Sequence, residues 1–145
     1  MNEINIINHH SKYSINKKNF KTYCKKVLNY KGYDSYLISL ILINEEELRK
    51  MKNKYFKKNV YTDVIAFNLN NENENLEGEL YISLKIIEDN AMLYDVSLEN
   101  EIKRVVAHGL LHLIGYEDDN DIRKKEMTKI ENSCLELFQD ITLTC

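Results

Sequence analysis

The chain has no proline, no tryptophan, four glycines and three cysteines among its 145 residues. The cysteines exclude the most. Cys24, Cys134 and Cys145 are odd in number and widely separated, with no C-x-x-C pair, so neither a disulfide framework nor a cysteine zinc site is encoded. They read as ordinary reduced thiols. Long apolar runs are also missing: the longest, Tyr36 to Ile43, is interrupted by Ser39 and falls far short of the roughly 20 residues that cross a bilayer. Met1-Asn2-Glu3-Ile4-Asn5 lacks the basic-then-apolar order of an export signal. A soluble cytoplasmic protein with no membrane partner is expected. No repeat and no Gly/Ser-rich linker divides the chain, which is most simply one domain spanning 1–145, able to bury roughly 68–70% of its unfolded surface without staples. The missing proline, beside abundant Lys, Asn and Ile, fits a biased genome composition and says little about function.

Charge of one sign is also scarce, with a net of −3, and this argues against a general nucleic-acid coat. The average conceals an asymmetry. Residues 1–58 carry 13 basic and 5 acidic groups, net +8, whereas 59–145 carry 7 and 18, net −11. Lys17, Lys18, Lys21, Lys25 and Lys26 recur at spacings that share one broad helical face, which can track phosphates but reads slightly better as a solvated surface. Arg49, Lys50, Lys52, Lys54, Lys57 and Lys58 cluster just before Thr62-Asp63, where they are placed to track phosphates.

What the sequence does contain is concentrated in His108-Gly109-Leu110-Leu111-His112-Leu113-Ile114-Gly115-Tyr116-Glu117-Asp118. His108 and His112 stand at i and i+4, so on a helix both imidazoles project from one face about 6 Å apart and can share an ion. Gly115 falls where a helix ends in a left-handed residue. The chain can then reverse and bring Asp118 to the same ion as a third ligand. Glu117 and Asp119 flank it, but the register favours Asp118. The competing explanation is a pair of core histidines, since Val105, Val106, Leu110, Leu111, Leu113 and Ile114 make the segment apolar on nearly every side. So apolar a helix rarely buries two imidazoles without partners for their nitrogens, which favours the metal. The offsets match those of metzincin peptidases. Gly109, however, occupies the place of their catalytic Glu, and a peptidase would lose its general base.

Periodicity places these residues in a fold. Glu3 to Asn8 and Ser35 to Ile43 read as strands, and Asn16 to Tyr30 as a helix with Phe20, Tyr23, Cys24, Val27 and Leu28 inward. Asn44, followed by Glu45, Glu46 and Glu47, caps a helix through about Tyr55. Val64 to Phe67 and Glu79 to Ile82 are strands joined by the polar stretch Asn68 to Asn75. Ser83 caps a helix to about Leu93, Ser97 opens the metal-bearing helix, and Asp121 to about Phe138 forms the last. The order β-α-β-α-β-β-α-α-α predicts an α/β (α+β) single domain: a mixed, mostly parallel four-stranded sheet with helices packed on it, and the metal site on a helix and its following loop.

Three blocks together carry a resemblance: Thr62-Asp63-Val64-Ile65-Ala66-Phe67, Gly78-Glu79-Leu80-Tyr81-Ile82-Ser83, and His108 through Tyr116. In order and spacing they resemble the YbeY family of bacterial endoribonucleases and rRNA maturation factors, over roughly residues 40 to 138. The resemblance implies a single zinc-binding domain, cleavage of single-stranded RNA, maturation of the small-subunit rRNA 3′ end and a part in ribosome quality control. Its partners would be ribosomal RNA and the small ribosomal subunit, with no DNA. Its cofactor would be one zinc per chain held by His108, His112 and Asp118. The family usually has His at position 118. Two histidines and a carboxylate still suit zinc, and iron or manganese as well.

Three further positions depart from the pattern. Phe56 stands where an Arg is common, leaving Lys57 and Lys58 as the expected RNA contacts. Ala66 replaces a usual Ser, and Glu79 a usual Asp. With Gly at 109, the carboxylates available as general base are Asp63 and Glu79. Two other readings remain: a metallopeptidase-like hydrolase, and a non-catalytic ribosome assembly factor with a structural metal.

Overall fold

Among residues 2–9, 12–70 and 76–145, which the computed structural model describes, four strands and five helices follow one another in the expected order. They are β1 (Asn2–Asn8), α1 (Lys17–Tyr30), β2 (Tyr36–Leu42), α2 (Glu45–Phe56), β3 (Val64–Asn68), β4 (Leu76–Ile82), α3 (Leu84–Leu93), α4 (Leu98–Leu113) and α5 (Asp121–Leu137). Of the polar stretch read as a loop, Asn68 closes β3 and 71–75 lie outside the described residues.

Every helix starts at a short polar side chain. Asn16, Asn44, Ser83, Ser97 and Asn120 each have extended backbone, and each side chain accepts a hydrogen bond from the amide three residues on. Such a cap satisfies one of the amides that the first helical turn leaves without an intrahelical acceptor, and its loss typically costs about 0.5–2 kcal/mol. Glu45, Glu46 and Glu47 in the first turn of α2 add charge of the sign that the helix N-terminus favours.

The strands lie in the order β1-β2-β4-β3. β1 pairs parallel with β2, β2 parallel with β4, and β3 antiparallel with β4. The sheet is therefore mixed, and the expectation of a mostly parallel one is corrected by the β3–β4 pair. Only seven residues separate these two strands. A parallel crossover needs about a dozen or more, so a short connection returns the chain antiparallel.

Strand alternation assigns the two faces. Ile4 and Ile6, Ile38, Leu40 and Leu42, and Leu80 and Ile82 point to one side, where they form the main core with α1, α3 and α4. On the other side Ile41 and Ile65 join Ile43 and Leu48 in a smaller cluster under α2. Helix α4 is the centre of the larger layer: ten of its sixteen residues are buried, and it packs against α1, α3, α5, β3 and β4. Its last two turns therefore hold their side chains in a rigid frame above β3. No helix among the described residues is long and apolar enough to cross a membrane.

Candidate metal centre and its cavity

His108 and His112 occupy the last turns of α4, on its one face that is not fully enclosed, with side chains 28% and 25% exposed. Beyond them the helix ends in a Schellman motif. The Gly115 amide donates to the His112 carbonyl (3.1 Å) and the Tyr116 amide to the Leu111 carbonyl (3.0 Å), with Gly115 at φ +105°. A side chain at that φ would be strained, so glycine is what permits the reversal. The turn does two things for the site. It carries Asp118 back to the histidines, and it aims the Tyr116 carbonyl at His112, whose Nδ1 lies 2.9 Å away.

The donor atoms then converge. His108 Nε2 and His112 Nε2 are 3.0 Å apart, and Asp118 Oδ2 lies 3.4 Å from the first and 3.6 Å from the second. Ligand bonds of about 2.0–2.2 Å at tetrahedral angles would put donor atoms roughly 3.3–3.6 Å apart, which these separations approach. The hydrogen bonds on the far sides of the rings decide the chemistry. His108 Nδ1 is 2.7 Å from Glu131 Oε2, and a carboxylate and a carbonyl only accept, so both Nδ1 atoms must carry the proton. In the neutral rings both Nε2 atoms then present lone pairs to one another and to a carboxylate oxygen. Three acceptors within 3.6 Å repel unless a proton or a metal cation lies among them. The residues present thus fit a metal ion of the zinc, iron or manganese type.

Glu131 was not foreseen from the sequence, and it organises this centre from behind. It is 5% exposed on α5, and its two oxygens are used separately, Oε2 by His108 and Oε1 by Arg104 Nη1 at 3.0 Å. Such an outer carboxylate fixes the tautomer and raises the basicity of the ligating nitrogen. Its burial, though not its partner, is legible in the sequence: Glu131 is four residues after Met127 and three before Cys134, a charged residue on the buried stripe of α5. Burial works to depress the His108 pKa, but Glu131, Asp118 and Asp63 outweigh it and hold it above the usual value.

A family model described as Endoribonuclease YbeY matches residues 5–139, which include this whole centre. The chain belongs to the YbeY endoribonuclease family. Similar proteins include Endoribonuclease YbeY of Karelsulcia muelleri, 41% identical over 95 residues that span 66% of this chain and 67% of that protein. Endoribonuclease YbeY of Buchnera aphidicola subsp. Schizaphis graminum is 37% identical over 119 residues, 80% of this chain and 75% of its own length. A Thermotoga maritima protein solved in solution shares the fold: TM-score 0.63 at 24% identity, over 95% of this chain and 93% of that one. The match to YbeY thus reaches into the N-terminal third, beyond the blocks that carried the resemblance.

Within this YbeY-family chain, the triad opens onto a cavity of about 560 Å³, and Asp63 lines it with His108, His112 and Asp118. Asp63 just precedes β3. Its carbonyl accepts from the Ser83 amide at 3.0 Å, and its carboxylate from Asn90 Nδ2 at 3.4 Å. Burial raises its pKa, an effect that the charge of His108 partly offsets. Glu79 is elsewhere. It pairs across the sheet with Phe67, on the face opposite α4, and accepts a hydrogen bond from the Tyr81 hydroxyl at 3.3 Å. The sheet stands between it and the triad. Lys57 and Lys58 are exposed beyond the end of α2, Lys57 in a left-handed conformation (φ +59°), and neither lines the cavity. The cation that does so from α2 is Lys52, together with Phe56.

Gly109 faces the sheet. A Cβ there would sit 2.9 Å from Leu80 Cδ2 and 3.2 Å from Val64 Cγ2, where α4 packs closely on β3 and β4. Leu80 is fully buried, so a shift of its side chain presses on core neighbours. A glutamate at this position would therefore be forced into the core, not presented as a base. Gly109→Glu is expected to lose about 3–5 kcal/mol in urea denaturation, from overpacking and an unpaired buried charge, with no gain of casein hydrolysis. A stable, proteolytic variant would reverse this assignment.

Proposed function

We propose that the chain is a metal-dependent, single-strand-specific endoribonuclease of the cytoplasm that acts on ribosomal RNA, maturing the 3′ end of the small-subunit rRNA and serving ribosome quality control. The observation that carries it is the convergence of His108 Nε2, His112 Nε2 and Asp118 Oδ2 on one point at the wall of an open cavity. Family membership supports RNA as the substrate. We propose His108, His112 and Asp118 as holders of one zinc per chain. When bound, such an ion polarises a phosphoryl oxygen and acidifies water, both of which suit phosphodiester hydrolysis.

The remaining chemistry belongs to the chain itself. Asp63 is a carboxylate in a partly dry pocket, with a pKa raised by burial, so it holds a proton taken from water better than an exposed aspartate does. Asn90 fixes its orientation. Glu131 keeps the proton of His108 on Nδ1, and the Tyr116 carbonyl does the same for His112, leaving Nε2 free in both. The open cavity favours a catalytic over a structural metal, whose ligands would close around the ion and leave no room for substrate. The absence of a base at Gly109 opposes the peptidase reading.

Parallel incubation with single-stranded rRNA precursor and with casein, each with and without chelator, tests the proposal. RNA cleavage that chelator abolishes, with casein untouched, is expected. Asp63→Asn should keep the metal and lower RNA cleavage by roughly 10²–10⁴-fold, the usual contribution of a positioned base. Wild-type activity in Asp63→Asn would remove Asp63 from the reaction.

A further inference from the structure

Phe56 ends α2 and lines the metal cavity, where α2 meets the edge strand β3, yet the residue is 44% exposed. Its ring is nevertheless held in place. It stacks on Phe67 with centroids 6.1 Å apart and planes 28° from parallel. Phe67 is in turn clasped edge-on by Tyr55 (5.2 Å, 76°) and Tyr81 (5.8 Å, 82°), so the orientation of Phe56 is set by a frame of rings built on the sheet. One helical turn earlier, Lys52 lines the same cavity and carries its Nζ over the Phe56 ring, 4.9 Å from the centroid. A half-exposed aromatic surface beside a long lysine side chain is suited to a nucleotide: the ammonium over the ring can swing to a phosphate, and the ring face it leaves can take the π-face of any base. The cavity volume of about 560 Å³ falls in the usual range for small-ligand sites, roughly 300–1,000 Å³.

We propose that Phe56 and Lys52 form a nucleobase-stacking subsite, which holds one unpaired base of an RNA strand next to the phosphate at the metal centre. The proposal rests on the endoribonuclease reading and adds to it a residue that selects single strands. A base paired in a duplex has its faces covered by its neighbours and cannot be splayed onto a protein ring without unstacking. The bland role for Phe56 is to fasten the end of α2 to Phe67. The two roles separate on substitution, because Leu retains an apolar contact with Phe67 but has no π-face.

The test is equilibrium binding of metal-loaded protein to a fluorescent 2′-O-methyl strand of about six nucleotides, within the span such grooves cover, recovered intact after measurement. Phe56→Ala and Phe56→Leu should both weaken binding, by roughly 5- to 100-fold, and Phe56→Trp should preserve it. Removing bases one at a time should reveal one position where the wild type loses that same factor and Phe56→Ala loses nothing. The slope of log affinity against log salt should be unchanged by Phe56→Ala and lowered by about 0.7 by Lys52→Ala. Wild-type affinity in Phe56→Leu, or equal losses at every abasic position, would overturn the subsite while leaving the nuclease reading intact. A wild-type protein that bound no strand at all would bring down both.

Discussion

Replacing His112 by Ala is expected to strip the protein of its metal, abolish RNA cleavage and lower its melting temperature by roughly 5–10 °C. The last figure follows from mass action. A ligand present at about 100 times its dissociation constant stabilises the fold by about 2.7 kcal/mol, and each kcal/mol moves the midpoint of a domain of this size by about 2–4 °C. The same heating experiment on chelated wild type supplies the control: it should melt within a few degrees of His112→Ala, because beyond the ion the variant loses one hydrogen bond, to the Tyr116 carbonyl. His112 is still a quarter exposed, so Ala there leaves no deep cavity in the core. Asp118→Ala should weaken binding as well. Asp118→His should be tolerated, since an imidazole reaches the same point from the same turn. If His112→Ala retained one metal per chain, the ligand assignment would fail.

The second large effect is expected at Glu131, which touches no substrate. Glu131→Ala removes the acceptor of both His108 Nδ1 and Arg104 from a buried position. Metal affinity should fall about 10–100-fold through the loss of ring orientation and basicity. Stability should fall by about 2–3 kcal/mol, at or just below the lower end of the range of about 3–5 kcal/mol for breaking a buried pair, because Arg104 is 30% exposed and also bonds Asn132. Urea denaturation in chelator isolates the second term, and metal titration the first. Glu131→Gln should recover only part of either, since its one carbonyl oxygen can accept from His108 or from Arg104 and its amide NH2 then opposes the other donor. Equal metal affinity in wild type and Glu131→Ala would reduce the residue to a structural role.

The two halves of the site differed in how far the sequence disclosed them. His108, His112, Gly115 and Asp118 lie within eleven residues, and local geometry alone, one helix face and one Schellman turn, brings them together. The helix starts were equally legible, because each cap is a short-range contact between a side chain and an amide three residues away. Glu131 reaches the centre only through the packing of α5 on α4, which no local pattern states. Glu79 is a different case. Its strand read as beginning at Glu79, but β4 begins at Leu76, and the full alternation Leu76, Gly78, Leu80, Ile82 assigns the α4 side to those residues and the opposite side to Glu79. Lys57 and Lys58 were singled out as neighbours of the missing arginine. Helix α2 ends at Phe56, and the left-handed Lys57 turns the chain away, so the side chains that reach the cavity are those of its last turn and a half.

The central claim is that one ion at His108, His112 and Asp118 is needed for RNA cleavage. The most direct measurement is reconstitution: the protein is stripped by chelator, zinc is added back in fractions of an equivalent, and cleavage of a single-stranded RNA is followed beside elemental analysis. Activity should be absent at the start, rise in proportion to bound metal, and level off at one equivalent per chain. Full activity in the stripped protein, or a plateau reached with no metal bound, would contradict the account.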